Sequence, residues 1–449
     1  MPIRAATNLF KNPPNTARVH IIIKDQYFKT IVKNAAIILS GNSASSALGF
    51  ISFAILASTL GPEALGIFAL AQVYTGITNS LFNVQTWESM IKFGAKDDDK
   101  TFLANTIKTN LLIDILSAAF AFIFAISALN YITSLFKWDQ QLVDLAFLYC
   151  FTIPFTITTF TIGLPRLFNK FYVVAKIQFI FAALKLALVF FISLNDGSIK
   201  AFLLAYIFVE IMINLSLITL SLRLTKKNSL NWLKAKVQLS KEQIKFLWWT
   251  NLRTIVRIPV RQLDLLIINQ IMTVETVGIY KAYKEVVSII ARLGEPINQA
   301  IFPEYSKLLG KDKSSETVAV TKKIMLLLLA LSAATIIFFY IASNFIIETF
   351  LGVEYLSLIT VFYILVVLNS INLFLTPVNS LFVAAGFARY GFYIVLFNNV
   401  LYLLIALLGG MLLGIYGIVL AFATQLAFNQ GAKIFFLRKY STGWSDTIR

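Results

Sequence analysis

One cysteine and one histidine stand in 449 residues, Cys150 and His20. A single thiol excludes an intrachain disulfide, and the pair leaves no His/Cys cluster for zinc, so no metal site and no cofactor are expected. Charge is scarce too: Asp, Glu, Lys and Arg make up 14% of the chain, against 58% hydrophobic residues and 40 Phe. A soluble globular domain carries about a quarter of its residues charged, so that class is excluded. The first 33 residues lack the apolar core of a signal peptide, and the first span is expected to act as the insertion signal. Within that tail, Val19 to Phe28 reads equally as an interfacial helix or a surface-lying segment.

What the chain does have is apolar runs. A hydrocarbon core of about 30 Å takes about 20 apolar residues per helix. Twelve such stretches are expected, at 34–60, 64–91, 103–129, 143–165, 172–194, 201–222, 246–272, 277–305, 322–347, 357–385, 391–411 and 414–436. The expected fold is an all-α integral membrane protein of twelve transmembrane helices. Lys and Arg fall on alternate loops, leaving only Lys137 and Lys200 on the opposite side. Positive loops stay in the cytoplasm, which puts both termini there. Much of the +17 formal charge is thus a topology signal facing anionic lipid, and no nucleic-acid partner is needed to explain it.

An internal repeat organises the spans. Glu63-Ala64-Leu65-Gly66-Ile67-Phe68-Ala69 aligns without gaps on Glu275-Thr276-Val277-Gly278-Ile279-Tyr280-Lys281, an offset of 212 residues. An even number of spans separates the copies, so the repeat is of the parallel type. The division expected is a tail at 1–33, an N-lobe at 34–222, a cytoplasmic linker at 223–245, a C-lobe at 246–437 and a tail at 438–449.

Arg253, Arg257 and Arg261 recur at four-residue spacing inside a mostly apolar stretch, so all three project from one helical face. A guanidinium at bilayer depth costs about 3 kcal/mol on the mildest scale unless it meets protein or water. The face therefore suits a cavity wall that holds an anion. Lys281, Lys284 and Arg292 in the next span add cations, and within the membrane portions of the two spans Asp264, Glu285 and Glu295 are set against these six. Local spacing would pair Arg261 with Asp264, Arg292 with Glu295 and Lys281 with Glu285; Arg253 and Arg257 have no acid one turn away. The repeat places Gly41, Ser45 and Gly49 opposite the three arginines. They allow either close helix packing or room for a bulky ligand. Pro259 and Pro296 interrupt the two cationic helices and are read as hinges or as static kinks.

Intramembrane acids are the candidates for ion coupling: Glu88, Asp264, Glu285 and Glu295. Glu88 has no base nearer in sequence than Lys92 and is the favoured proton carrier. Lys185 and Glu210, at similar depth on consecutive spans, read as an ion pair. Trp248, Trp249, Tyr280 and Tyr283 fit an interfacial belt as well as a sugar platform.

Leu60-Gly61-Pro62-Glu63 with Gly66, Asp264, Val277-Gly278-Ile279-Tyr280, Ile301-Phe302-Pro303-Glu304-Tyr305-Ser306, Pro377-Val378-Asn379 with Gly386, and Gly414-Ile415-Tyr416-Gly417 carry a family resemblance. From about Lys33 to Tyr440 the chain resembles a Wzx-type polysaccharide flippase of the multidrug/oligosaccharidyl-lipid/polysaccharide exporter superfamily. The resemblance implies two pseudosymmetric six-helix lobes around a central cavity. It implies a non-enzymatic carrier in the bacterial inner membrane, moving an undecaprenyl-pyrophosphate-linked oligosaccharide to the periplasmic leaflet by alternating access. A proton or sodium gradient would drive it, and a polysaccharide polymerase and a chain-length regulator are the expected protein partners. Arginine suits a pyrophosphate because its planar fork gives bidentate, charge-assisted bonds at any relevant pH. The alternatives are a multidrug exporter of the related branch, for which an acidic or apolar cavity is expected, a membrane glycan polymerase or ligase, and a lipid II flippase with two further helices.

Overall fold

The computed structural model describes residues 17–94, 99–195, 197–256, 258, 262–311 and 313–440, with backbone alone for 17–27, 34–43 and 440. Among these residues the chain is helical throughout, with no strand. In order come α1 (Ala17–Phe82), α2 (Thr86–Gly94), α3 (Lys100–Phe136), α4 (Gln140–Cys150), a 3-10 turn at Ile153–Phe155, a π-helical segment at Thr159–Gly163, α5 (Leu164–Leu167), α6 (Phe171–Ser193), α7 (Ile199–Lys227), α8 (Lys241–Val256), α9 (Asp264–Ile271), α10 (Val274–Leu309), α11 (Ser314–Phe350), a 3-10 turn at Val353–Leu358, α12 (Ile359–Phe374), α13 (Thr376–Ala384), α14 (Ala388–Leu413) and α15 (Ile415–Tyr440).

By length and apolarity, seven helices among the described residues can cross a membrane: Ala44–Phe82, Lys100–Phe136, Phe171–Ser193, Ile199–Lys227, Ser314–Phe350, Val353–Ala384 and Ala388–Leu413. Counting Gln140–Phe155 and Thr159–Leu167, which meet at a 59° bend, as one broken span makes eight. Twelve are expected from the sequence, and seven or eight is a count over the described residues alone. Expected spans one and two run together in α1, and span seven contains residues outside those described, with α8 before them and α9 after. Span eight is α10, whose face carries Lys281, Lys284, Glu285, Arg292 and Glu295. A helix with a charged face crosses a bilayer only where that face meets protein or water, which apolarity alone does not register.

The start of each element follows local chemistry. Asp99 caps α3 by accepting from Thr101 N at 2.8 Å, Asp139 caps α4 through Leu142 N at 2.9 Å, and Ser198 caps α7 through Ala201 N at 3.3 Å. Inside α1, Gly61 holds φ 72 and ψ 174, a region open essentially to glycine alone. Pro62 follows with its φ already set for a helix start. One residue therefore makes the turn expected near Leu60 to Glu63, and the segment at 19–28 belongs to the backbone of the same long helix.

The chain forms two compact units. One is Ala44–Lys281 with Phe350–Glu354; the other takes in the described residues up to Ser43, Ala282–Thr349 and the described residues from Tyr355. The basic stretch 223–245 packs on the first unit: Lys108 Nζ donates to Leu233 O at 2.9 Å, Lys236 N to Asn105 Oδ1 at 2.8 Å and Gln238 N to Thr109 Oγ1 at 2.9 Å. Beneath it, Met90, Ile107, Leu111, Phe160, Leu164 and Leu230 form a buried apolar cluster. In the second unit α14 and α15 pack as a hairpin, and Lys433 Nζ donates to Asn379 Oδ1 at 2.7 Å.

The two copies of the repeat meet inside the first unit. A Cβ on Gly66 would run into the carbonyl oxygen of Val274, and a Cβ on Gly278 into that of Pro62. Pro62 and Val274 are themselves 212 residues apart, so the contact is reciprocal, as a two-fold pseudosymmetric crossing requires. Leu65 and Val277, fully buried at equivalent positions, close the crossing.

Candidate functional site

The cationic residues divide between the two units. In the first, Arg253 stands in the last turn of α8. Its guanidinium donates to Glu88 Oε1 on α2, the arginine half-exposed and the acid largely buried. The favoured anion ligand and the favoured proton carrier are thus partners, 165 residues apart and invisible to i±4 spacing. Lys281 is half-buried with its Nζ 6.0 Å from the centre of the Phe53 ring. Asp264, at the start of α9, is buried and accepts from Leu265 N at 2.9 Å. Arg257, Pro259 and Arg261 lie outside the described residues.

Opposite the arginines in the repeat, Gly49 has no atom of the described residues within 4 Å of where a Cβ would be. Ser45 is half-buried. Gly41 lies in the helical backbone of α1, and its surroundings fall outside the described residues.

In the second unit the charges lie along α10. Arg292 donates to Glu285 Oε1 at 3.0 Å, two turns away. The spacing argument pairs Arg292 with Glu295; instead Glu295 accepts from Gln299 Nε2 at 3.1 Å. Lys284 is half-buried. The helix continues through Pro296 without a break.

Lys185 and Glu210 stand within electrostatic reach of one another in the first unit, and each has an aromatic neighbour as well. Glu210 accepts from the Tyr149 hydroxyl at 2.8 Å, and Lys185 Nζ stands 4.9 Å from the centre of the Tyr206 ring. Trp248 and Trp249 are exposed, whereas Tyr280 and Tyr283 are buried, with Tyr283 donating to Tyr355 O. Burial removes both tyrosines from any sugar platform.

Like Glu210, Asp114 lies outside the set supplied by spans two, seven and eight; it stands in the apolar run of α3 and is fully buried. A lone carboxylate inside a span of mean hydropathy 2.3 is the signal that marks it.

Comparison with known proteins follows the same lines. The family described as "Polysaccharide biosynthesis protein" matches residues 31–309. Inner membrane protein YghQ of Escherichia coli K12 is 26% identical over 157 residues, which is 34% of this chain and 44% of that protein; the match thus spans less than half of the relative. Among solved structures, an inward-facing multidrug resistance MATE family transporter of the MOP superfamily superposes with a TM-score of 0.71 at 15% identity, covering 89% of this chain and 96% of the other. A MOP superfamily transporter from Pyrococcus furiosus, described as having a binding pocket of reverse polarity, gives a TM-score of 0.64 at 14% identity over 97% and 100% of the two chains. These likenesses give the fold, that of a multi-pass membrane transporter. With more than half of its length matched, the chain belongs to the polysaccharide biosynthesis protein family.

Proposed function

We propose that this protein is an inner-membrane flippase for an undecaprenyl-pyrophosphate-linked oligosaccharide, moved from the cytoplasmic to the periplasmic leaflet by alternating access. Twelve spans, cytoplasmic termini and a cationic cavity that holds the pyrophosphate complete the reading. Its main support is a single observation: Arg253, on an otherwise mostly apolar stretch, stays half-exposed with one acid, Glu88, against it. An arginine so placed can exchange a carboxylate for a phosphate oxygen pair without losing its hydrogen bonds. Glu88, released by that exchange, becomes free to take up a cation, which offers a route for gradient coupling alongside Asp264, Glu285 and Glu295. A polymerase and a chain-length regulator would receive the flipped glycan.

The multidrug exporter is the second reading, because the MATE fold fits it equally. The cations of α8 and α10 favour an anionic cargo. Leaflet translocation of a defined undecaprenyl-pyrophosphate oligosaccharide in proteoliposomes tests the choice. Wild type should translocate, and Arg253→Ala and Arg257→Ala should each lose about ten- to a hundredfold in rate, the worth of a charge-assisted bond, while inserting normally. Failure of wild type to move the lipid, with efflux of cationic compounds in its place, would establish the exporter.

A further inference from the structure

Spans two and four are both interrupted, and the interruptions face one another. Helix α1 ends at Phe82 and α2 begins at Thr86; α4 ends at Cys150 and the chain passes through a 3-10 turn before the π-helical segment at Thr159. Non-helical backbone at membrane depth persists only where it is enclosed by protein or lines a cavity, and π-helical turns gather at functional sites. Between the two breaks lies Asp114, fourteen residues into α3 and so about 21 Å along it.

The Asp114 carboxylate is enclosed by oxygen. Thr86 Oγ1 donates to Oδ1, Thr158 Oγ1 donates to the same oxygen at 3.1 Å, and Thr159 N donates to Oδ2 at 2.7 Å. The hydroxyls also touch one another, Thr86 and Thr158 at 2.8 Å and Thr159 on Thr86 at 3.0 Å. Asp114, Thr86 and Thr159 are all 0% exposed. Among the described residues no Lys or Arg lies within 4.0 Å of the carboxylate. In the same break Asn83, 3% exposed, donates to Thr156 O at 2.9 Å and leaves its own Oδ1 buried with no donor among the described residues. A charged carboxylate buried at membrane depth without a basic side chain beside it is among the most costly arrangements a membrane interior offers.

We propose that Asp114 is the centre of a Na⁺ site built from its carboxylate and the hydroxyls of Thr86, Thr158 and Thr159. All of these are hard oxygen donors, and Na⁺ has nearly the radius of Ca²⁺, which takes oxygens at about 2.3–2.6 Å. One carboxylate neutralises one monovalent charge, whereas a divalent ion would leave the pocket charged. On binding, the three hydroxyl hydrogens turn outward and their lone pairs face the ion. Discontinuous helices meeting at mid-membrane are the arrangement by which transporters coordinate coupling ions. The site has a mechanical connection as well. Thr86 opens α2, the nine-residue helix that carries Glu88, partner of Arg253. Gln243 Nε2, on the helix of Arg253, donates to Ser89 Oγ at 3.1 Å and to Asn110 Oδ1 at 3.2 Å, and Asn110 sits one turn before Asp114. An ion that draws in Thr86 therefore reaches the arginine through one short rigid element.

The test requires no glycan, so its outcome is separable from the identity of the cargo. Purified full-length protein in nanodiscs is titrated with ²²Na⁺ at constant ionic strength in choline chloride, and Tm is followed with NaCl against choline. Wild type should bind saturably and gain Tm with Na⁺. The near-isosteric Asp114→Asn should fold, lose the Tm response and bind about a hundredfold or more weakly, as expected for removing one partner of a buried charge pair. Thr158→Val, at a half-buried position, should weaken binding about tenfold, and Asp144→Asn at the exposed end of α4 should bind as wild type. Absence of saturable Na⁺ binding in folded wild type overturns the site and leaves Asp114 a neutral structural acid. Undiminished binding in Asp114→Asn and Thr158→Val overturns it equally.

Discussion

The corner at 60–69 and the corner at 272–281 have one backbone plan and opposite chemistry. Each turns the chain and starts a helix at positions 212 residues apart, Pro62 in one and Val274 in the other, and each brings a glycine against the other's carbonyl. They begin those helices differently: Gly61 and Pro62 do so through backbone restriction, whereas Thr273 accepts from Thr276 N at 3.2 Å. Beyond the crossing the charges separate. Lys281, Lys284 and Arg292 align with Ala69, Gln72 and Ser80, and Arg253, Arg257 and Arg261 align with Gly41, Ser45 and Gly49. The scaffold is duplicated, and these cations belong to one copy alone. That departure from pseudosymmetry is where the proposed anion site lies.

The largest expected effect breaks the shared part. Gly66→Leu or Gly278→Leu would force a side chain into backbone, and folded protein should vanish from size-exclusion profiles; Gly278→Ala should cost about 1–3 kcal/mol in detergent unfolding. Arg253→Lys breaks the unshared part more gently. It can keep the pair with Glu88 and loses the planar fork, so translocation should fall by about three- to tenfold, and full rate would reduce the site to bulk charge. Glu88→Gln removes the acid that Arg253 holds, and the proteoliposome rate should lose its response to an imposed proton gradient while the rate without a gradient persists. The smallest effect sharpens the contrast between glycines. Gly49→Ala meets no atom of the described residues inside a helix and should raise stability by about 0.5–1 kcal/mol, where the same change at Gly66 lowers it.

The repeat was legible because glycine and its neighbours recur in an ungapped frame; the contact between its two glycines was not, since it joins residues 212 positions apart. The helical membrane class was legible from apolar length. Pairing was not. Glu88 with Arg253 and Arg292 with Glu285 lie beyond i±4 reach, and the spacing rule sees only neighbours on one turn. The surroundings of Asp114 were hidden for a related reason: its hydrogen-bond donors come from threonines 28, 44 and 45 residues away, at helix breaks. Threonine in an apolar run reads as a tolerated residue, and only the breaks turn its oxygen inward.

Cys150, fully buried at the end of α4, has Thr75 Oγ1 3.8 Å from its sulfur. It is the chain's one thiol, and it lies where span four breaks. In the closed protein a thiol reagent has nothing to modify. Any reaction with the unaltered chain then becomes a clock, whose rate counts how often the broken span lets the outside in.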